Sequence, residues 1–126
     1  MTTTALTAAD FETTVTGEGI VLVDFWAAWC GPCRAFAPVF EQAAARHPDI
    51  VFAKVDTEAE QELAAAMRIT SIPTLMVFRD GILVFSQPGA LAAPQLEQLV
   101  AGARALDMDD VRRQIAAHEA RGADAA

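Results

Sequence analysis

Basic side chains are scarce in this chain of 126 residues. A single lysine, Lys54, and eight arginines stand against 17 acidic residues, for a formal net charge of −8. A surface of that sign repels phosphate, so nucleic acid is not an expected partner. Cysteine is nearly absent too: two residues cannot build a disulfide framework. No apolar run approaches the roughly 20 residues that a membrane helix needs, so no membrane association is expected. The first residues, Met1 to Leu6, offer neither a basic nor an apolar leader segment, so no secretory signal is expected. The expected compartment is the cytoplasm, where thiols are kept reduced and a lone cysteine pair reads as catalytic or metal-binding. No Gly-x-Gly-x-x-Gly fingerprint occurs, so no bound nucleotide is expected. What is present is a 53% apolar composition in 13.4 kDa. That is enough for one domain with a hydrophobic core.

The apolar patterning predicts an alternating order. Thr7 to Asp10 reads as a capping box opening a short helix that ends near Gly17 to Gly19. Ile20 to Ala27 is apolar on both faces except for Asp24, the mark of a central strand covered on both sides. A helix then runs to about His47, with Pro38 inside it as a kink. Asp49 to Asp56 reads as a strand, and Thr57 to Glu60 as a second capping box opening a helix to about Met67. Thr74–Arg79 and Ile82–Ser86 form a hairpin across Asp80-Gly81, and Pro88-Gly89 breaks the chain. Gln95 to about Leu106 is an amphipathic helix with Leu96, Leu99, Val100 and Ala103 on one face. Alternation ending in a hairpin implies an α/β fold, a mixed sheet with helices on both faces. Residues 1–106 read as the domain and 107–126 as a C-terminal helical extension with one apolar stripe, Met108, Val111 and Ile115. The simplest reading of that tail is a peripheral helix; the other is a helix that docks a partner.

The chemistry concentrates in Trp29-Cys30-Gly31-Pro32-Cys33, between a buried strand and a helix. Cysteines three apart at a helix start share one face, and their sulfurs can close a small ring without moving the backbone. The helix N-terminus favours a thiolate. Cys30 is nearest that end and reads as the nucleophile; Cys33, a turn further in, reads as the residue that resolves the mixed disulfide. Pro32 fits the first turn, where its missing N–H is not needed. A zinc site would need four ligands. The two histidines, His47 at a helix end and His118 in the tail, do not supply them, and both read as solvated surface residues. Glu58, Glu60 and Glu62 read as a solubilising surface, and Phe36, Phe40, Phe52, Phe78 and Phe85 as core.

The run Val23 to Cys33 (VDFWAAWCGPC) resembles the thioredoxin family. So do Pro38, Ala53 to Asp56 (AKVD), Ser71 to Thr74 (SIPT), the Asp80-Gly81 turn and Gly89-Ala90, in the family's order and spacing over about residues 5 to 106. The resemblance implies a thioredoxin fold and reduction of disulfides in client proteins through a reversible Cys30–Cys33 dithiol/disulfide. It implies that Asp24 lies beneath Cys33 and assists its deprotonation through water, with Lys54 modulating that acid. A carboxyl amid apolar neighbours is also one whose charged form is disfavoured. It implies a cis bond before Pro73, facing the cysteines, with the Ile72 backbone pairing with the client chain. Trp29, Gly31, Pro32, Ile72, Pro73, Gly89 and Ala90 would form a shallow docking surface. The Gly31-Pro32 dipeptide resembles the reducing members, since oxidants and isomerases of this fold carry a histidine there. The implied partners are disulfide-containing clients and a thioredoxin reductase fed by NADPH; the implied state is a monomer with no bound cofactor. Two departures stand out: Pro88 replaces a small aliphatic residue, and Arg34 replaces lysine. Alternatives are a specialised oxidoreductase with few clients, or a redox-independent binding module or holdase. The last would be marked by a missing cysteine or a missing cis-proline.

Overall fold

The computed structural model describes residues 3–125, with side chains to Gly122. Five strands form one mixed sheet in the order β1-β3-β2-β4-β5. They are β1 Thr3–Ala5, β2 Ile20–Trp26, β3 Val51–Asp56, β4 Thr74–Arg79 and β5 Ile82–Pro88. The helices are α1 Ala8–Val15, α2 Gly31–Arg46, α3 Gln61–Ala66, α4 Ala93–Ala105 and α5 Met108–Ala125. β1 runs parallel to β3 and β3 to β2, while β4 is antiparallel to β2 and β5 is antiparallel to β4.

The alternation along β2 builds two cores at once, because successive side chains point to opposite faces. Ile20 and Leu22 join Phe36, Phe40, Ala43 and Ala44 of α2 and Leu96, Val100 and Ala103 of α4. Val21, Val23 and Phe25 join Phe11 and Val15 of α1, with Leu63 and Met67 from the α3 side. The helix α2 continues through Pro38. Of the five phenylalanines expected in the core, Phe36, Phe40, Phe52 and Phe78 are buried; Phe85 packs against the core from its edge.

Several boundaries differ from the sequence reading, each for a physical reason. β1 was not expected: three residues give no periodicity, and the strand exists only because β3 offers it a partner. The Thr57–Glu60 segment does not open a helix. Asp56 Oδ1 instead accepts the N–H groups of Glu58 (2.9 Å) and Ala59 (3.3 Å), a local turn that delays α3 to Gln61. β5 runs to Pro88 rather than stopping at Ser86, because Pro88 lies on an edge strand where a missing donor is tolerated. The helix α4 starts at Ala93 instead of Gln95, with Pro94 in its first turn.

His47 is not a solvated residue. Its ring stacks on Phe52 at 6.4 Å, its Nε2 lies 2.7 Å from Glu97 Oε2, and its Nδ1 lies 3.2 Å from Arg104 Nη2. The His47 and Arg46 contacts hold the Glu97 carboxyl below its usual range. Glu60 also has a structural task, accepting the Ala8 N–H at 2.7 Å. Arg79 was not singled out by its sequence context. Its Nη1 donates to the carbonyls of Ala103 (2.7 Å), Arg104 (3.1 Å) and Leu106 (2.8 Å), satisfying the open end of α4. Charge-assisted bonds of this kind contribute about 1.5–3 kcal/mol. Arg79→Ala is therefore expected to lower stability by about 2 kcal/mol, read as an earlier urea midpoint with an unchanged slope.

The tail helix α5 is held at its root. Met108 is buried, Val111 is half-buried, and Ile115 and His118 are exposed. Arg112 lies 3.8 Å from Asp80 in the hairpin turn. No helix among the described residues is long and apolar enough to cross a membrane.

Candidate active site

The C-terminal ends of the parallel strands β2 and β3 sit side by side, with Trp26 opposite Asp56. In sheets of this kind the chemistry gathers at that end. From Trp26 the chain passes into a short loop, and Cys30 becomes the N-cap of α2 in extended conformation. Cys30 and Cys33 are joined in a disulfide with their Cα atoms 5.2 Å apart. The Cys33 N–H donates to Cys30 Sγ at 3.2 Å, so an otherwise open donor of the helix start points at that sulfur. Both cysteines are buried, packed with Ala27 and flanked by Trp26 and Ile72.

The 72–73 peptide bond is cis. Its loop brings the Ile72 carbonyl to 3.7 Å from Cys30 Sγ. Pro73 is buried, and its own carbonyl accepts the Gly89 N–H at 2.8 Å. Gly89 has φ +107°, a conformation L side chains rarely adopt, so the backbone itself calls for glycine here. The fold thus places Gly89 against Pro73, with the exposed Ala90 next in the chain.

A groove open to solvent runs past the disulfide. Of the residues singled out above, Trp29, Cys30, Gly31, Pro32 and Ile72 line it. Thr57, Ala64 and the stretch Ile69–Thr70–Ser71 complete it. These were not anticipated from the sequence. The available signal was position: Thr57 follows β3 directly, at the same sheet end as the cysteines. Glu58, read as part of a solubilising surface, instead accepts the indole N–H of Trp29 at 2.6 Å. Arg34 donates to the Ala28 carbonyl at 2.9 Å, folding back over the active-site loop.

Asp24 is fully buried, which excludes an exposed edge position. It shares the parity of Ile20 and Leu22, so it lies on the face covered by α2, toward the end that carries the cysteines. Lys54 is its cross-strand neighbour, and Trp26 is the next residue of β2 on the same face. Lys54 Nζ sits 4.8 Å from the Trp26 ring centroid. Among the described residues, neither Asp24 carboxylate oxygen has a hydrogen-bond partner. Burial pushes the Asp24 carboxyl up from 3.8 to about 7, against an opposing pull from the Lys54 charge. Among the described residues no group of three or more His, Cys, Asp or Glu is placed to hold a metal ion.

A disulfide between two cysteines at one helix start, set beside a groove open to solvent, is built to exchange electrons with another disulfide. The protein is a thiol–disulfide oxidoreductase. Residues 2–102 match the Thioredoxin family model, and the chain belongs to the thioredoxin family. It is 54% identical over 118 residues to "Putative thioredoxin 2" of Streptomyces coelicolor, covering 94% of this chain and 88% of that relative. A match of 118 residues is longer than residues 1–106, so it takes in part of the tail. It is 44% identical over 100 residues to "Thioredoxin" of Alicyclobacillus acidocaldarius, covering 79% of this chain and 95% of the relative. With "Thioredoxin" of Bacillus subtilis the identity is 43% over 86 residues, 68% of this chain and 83% of the relative. The activity is that of a protein-disulfide reductase.

Proposed function

We propose that this protein is a general cytoplasmic reductant of protein disulfides, working as a monomer. The observation that carries the reading is the Cys30–Cys33 disulfide at the start of α2, with Cys30 Sγ 3.7 Å from the Ile72 carbonyl. The Cys30 thiolate attacks one sulfur of a client disulfide. The client S–S bond breaks, its second sulfur leaves as a thiolate and takes up a proton, and a Cys30–client disulfide forms. Cys33 loses its proton, attacks Cys30 Sγ and expels the other client thiol. Two electrons and two protons have moved to the client, and the chain is left oxidised.

The following residue roles belong to the same proposal. The Cys33 N–H and the open end of α2 support negative charge on Cys30 Sγ. Asp24, on the α2 face with a carboxyl poised near neutrality, receives the Cys33 proton, and Lys54 biases that acid toward its charged form. Pro73 presents the Ile72 backbone to the client. Trp29, Gly31, Pro32, Ile72, Gly89 and Ala90 form the docking rim. No bound cofactor is needed. Electrons come from NADPH through a thioredoxin reductase, which reopens the Cys30–Cys33 bond.

An NADPH-coupled assay of insulin reduction with a bacterial thioredoxin reductase tests this reading. Steady NADPH consumption that depends on both the chain and insulin supports it. Consumption with a few specific clients but not with insulin would replace the general reductant by a dedicated one. We further propose that residues 1–106 are the catalytic unit and 107–126 an extension. Truncation after Leu106 is then expected to lower the melting temperature while leaving the insulin reduction rate at its full-length value. A folded but inactive truncation would give the tail a functional role.

A further inference from the structure

We propose that Arg68 is a specificity residue that favours protein clients carrying a carboxylate beside the disulfide being opened. The proposal rests on the reading of the groove past Cys30 as the place where the client chain docks.

The helix α3 ends in a way that suits glycine better than arginine. The Arg68 N–H donates to the Ala65 carbonyl and the Ile69 N–H to the Ala64 carbonyl, both at 3.0 Å. This pair of bonds closes the last turn and sends the residue after the Met67 C-cap into left-handed backbone, where glycine is the usual occupant. Arg68 stands there instead, with φ +58°. The other non-glycine residue with positive φ among the described ones is Asp80. Its short polar side chain is of a type that tolerates that conformation by bonding locally. A long arginine side chain gives no such support, so the turn is not what retains it.

Nothing within the fold uses the guanidinium either. Among the described residues it has no ion-pair or hydrogen-bond partner. The cations closest to the cysteines in sequence or register are engaged, Arg34 on the Ala28 carbonyl and Lys54 over the Trp26 ring. Arg68 is exposed, and its chain neighbours line the groove: Ala64 before it, and Ile69, Thr70 and Ser71 after it. A free positive charge therefore stands at the lip beside Ile69.

The stretch from Thr57, which also lines the groove, to the first turn of α3 has the other sign, with Glu58, Glu60 and Glu62. In a chain of net charge −8, an acidic client meets repulsion at large. Arg68 supplies a local attraction. The pattern thus favours a register in which the client's carboxylate lies by Ile69 and away from the glutamates. Rim charges of this kind act on the choice of partner and on encounter more than on the chemical step.

The test uses the prereduced full chain and pairs of synthetic peptides, each closed by one disulfide. The members of a pair differ only by Glu or Gln at one position, scanned along the residues that flank each cysteine. The readout is the ratio of the two second-order reduction rate constants, in which any general loss of exchange cancels. The unmodified protein is expected to reduce the Glu peptide about two- to fivefold faster at a favoured position, the range of an exposed ion pair. In about 1 M salt, where screening acts within roughly 3 Å, the ratio is expected to fall to near one. Arg68→Gln and Arg68→Gly are expected to abolish the preference, Arg68→Lys to keep most of it, and Arg68→Glu to invert it. Glycine relieves the left-handed backbone, so a loss seen in Arg68→Gly does not come from unfolding. A ratio near one at every position in the unmodified protein overturns the proposal. So does a preference that survives unchanged in Arg68→Gln. If the unmodified protein reduces none of the peptides, the client-groove reading fails first and takes this proposal with it.

Discussion

Cys33→Ser is expected to turn the enzyme into a trap. Cys30 still attacks a client disulfide, but the second displacement has lost its nucleophile. In the intact site that nucleophile is a neighbour on the same helix face, with Cα atoms 5.2 Å apart. Well-oriented intramolecular reactions reach effective molarities of about 10⁵–10⁸ M, so even a small part of that advantage over a millimolar external thiol implies a turnover loss of at least about 10³-fold. The client should accumulate as a Cys30-linked adduct, visible by mass spectrometry and released by dithiothreitol. Cys30→Ser should give neither turnover nor adduct at a comparable rate, because Cys30 is the N-cap of α2 and its sulfur accepts the Cys33 N–H, whereas Cys33 lies within the helix. Equal trapping by both variants would reverse or blur the assigned order of attack.

Asp24→Asn is expected to stabilise the fold and slow the chemistry together. Burial holds the folded-state carboxyl near 7, against an ordinary 3.8. Between those values the folded protein keeps a proton that the unfolded chain has released. Stability is therefore lost progressively as pH rises from about 4 through about 7, and the loss levels off above that. The interval corresponds to about 4 kcal/mol, and the amide escapes it because it never ionises. At pH 8 the variant should melt higher by on the order of 10 °C, and the difference should vanish near pH 4. The same substitution removes the group proposed to take the Cys33 proton. Single-turnover release of client from the mixed disulfide should slow at neutral pH and recover as pH rises and Cys33 ionises unaided. A melting difference independent of pH would refute the buried-ionisation account. Unchanged release kinetics would remove Asp24 from the mechanism.

Much of this could be read from the residues. β2 announced itself as a central strand because both its faces are apolar, and the same logic made Asp24 conspicuous. The cysteine pair, the Asp80-Gly81 turn and the α2 and α4 helices carried local signals strong enough to place them. Resemblance, rather than any local signal, pointed to the cis bond before Pro73. What stayed hidden depends on partners distant in sequence. Thr3–Ala5 becomes a strand only when β3 is beside it. Glu58 looks like any surface carboxylate until the end of β3 is set next to the end of β2. Arg79 reads as the last residue of a hairpin strand until α4 ends above it. His47, with one proline after it and no helical neighbour of its own kind, gives no hint that Glu97 and Arg104 lie on either side. Thr57 failed as a helix opener because Asp56, immediately before it, competes for the same donors.

Pro88 has a consequence for how these molecules treat one another. A five-stranded open sheet has two outer strands whose unpaired backbone could recruit a neighbouring copy. On one side, among the described residues, the strand is three residues long. On the other, β5 terminates in a residue with no N–H, beside Thr74 and the buried Pro73. Chain-to-chain zippering is thus cut short at the border nearest the sulfurs, where a stray strand would block access. On the proposed reading, the backbone at Ile72 is left as the place where a foreign polypeptide lines up, and only for as long as its disulfide is being opened.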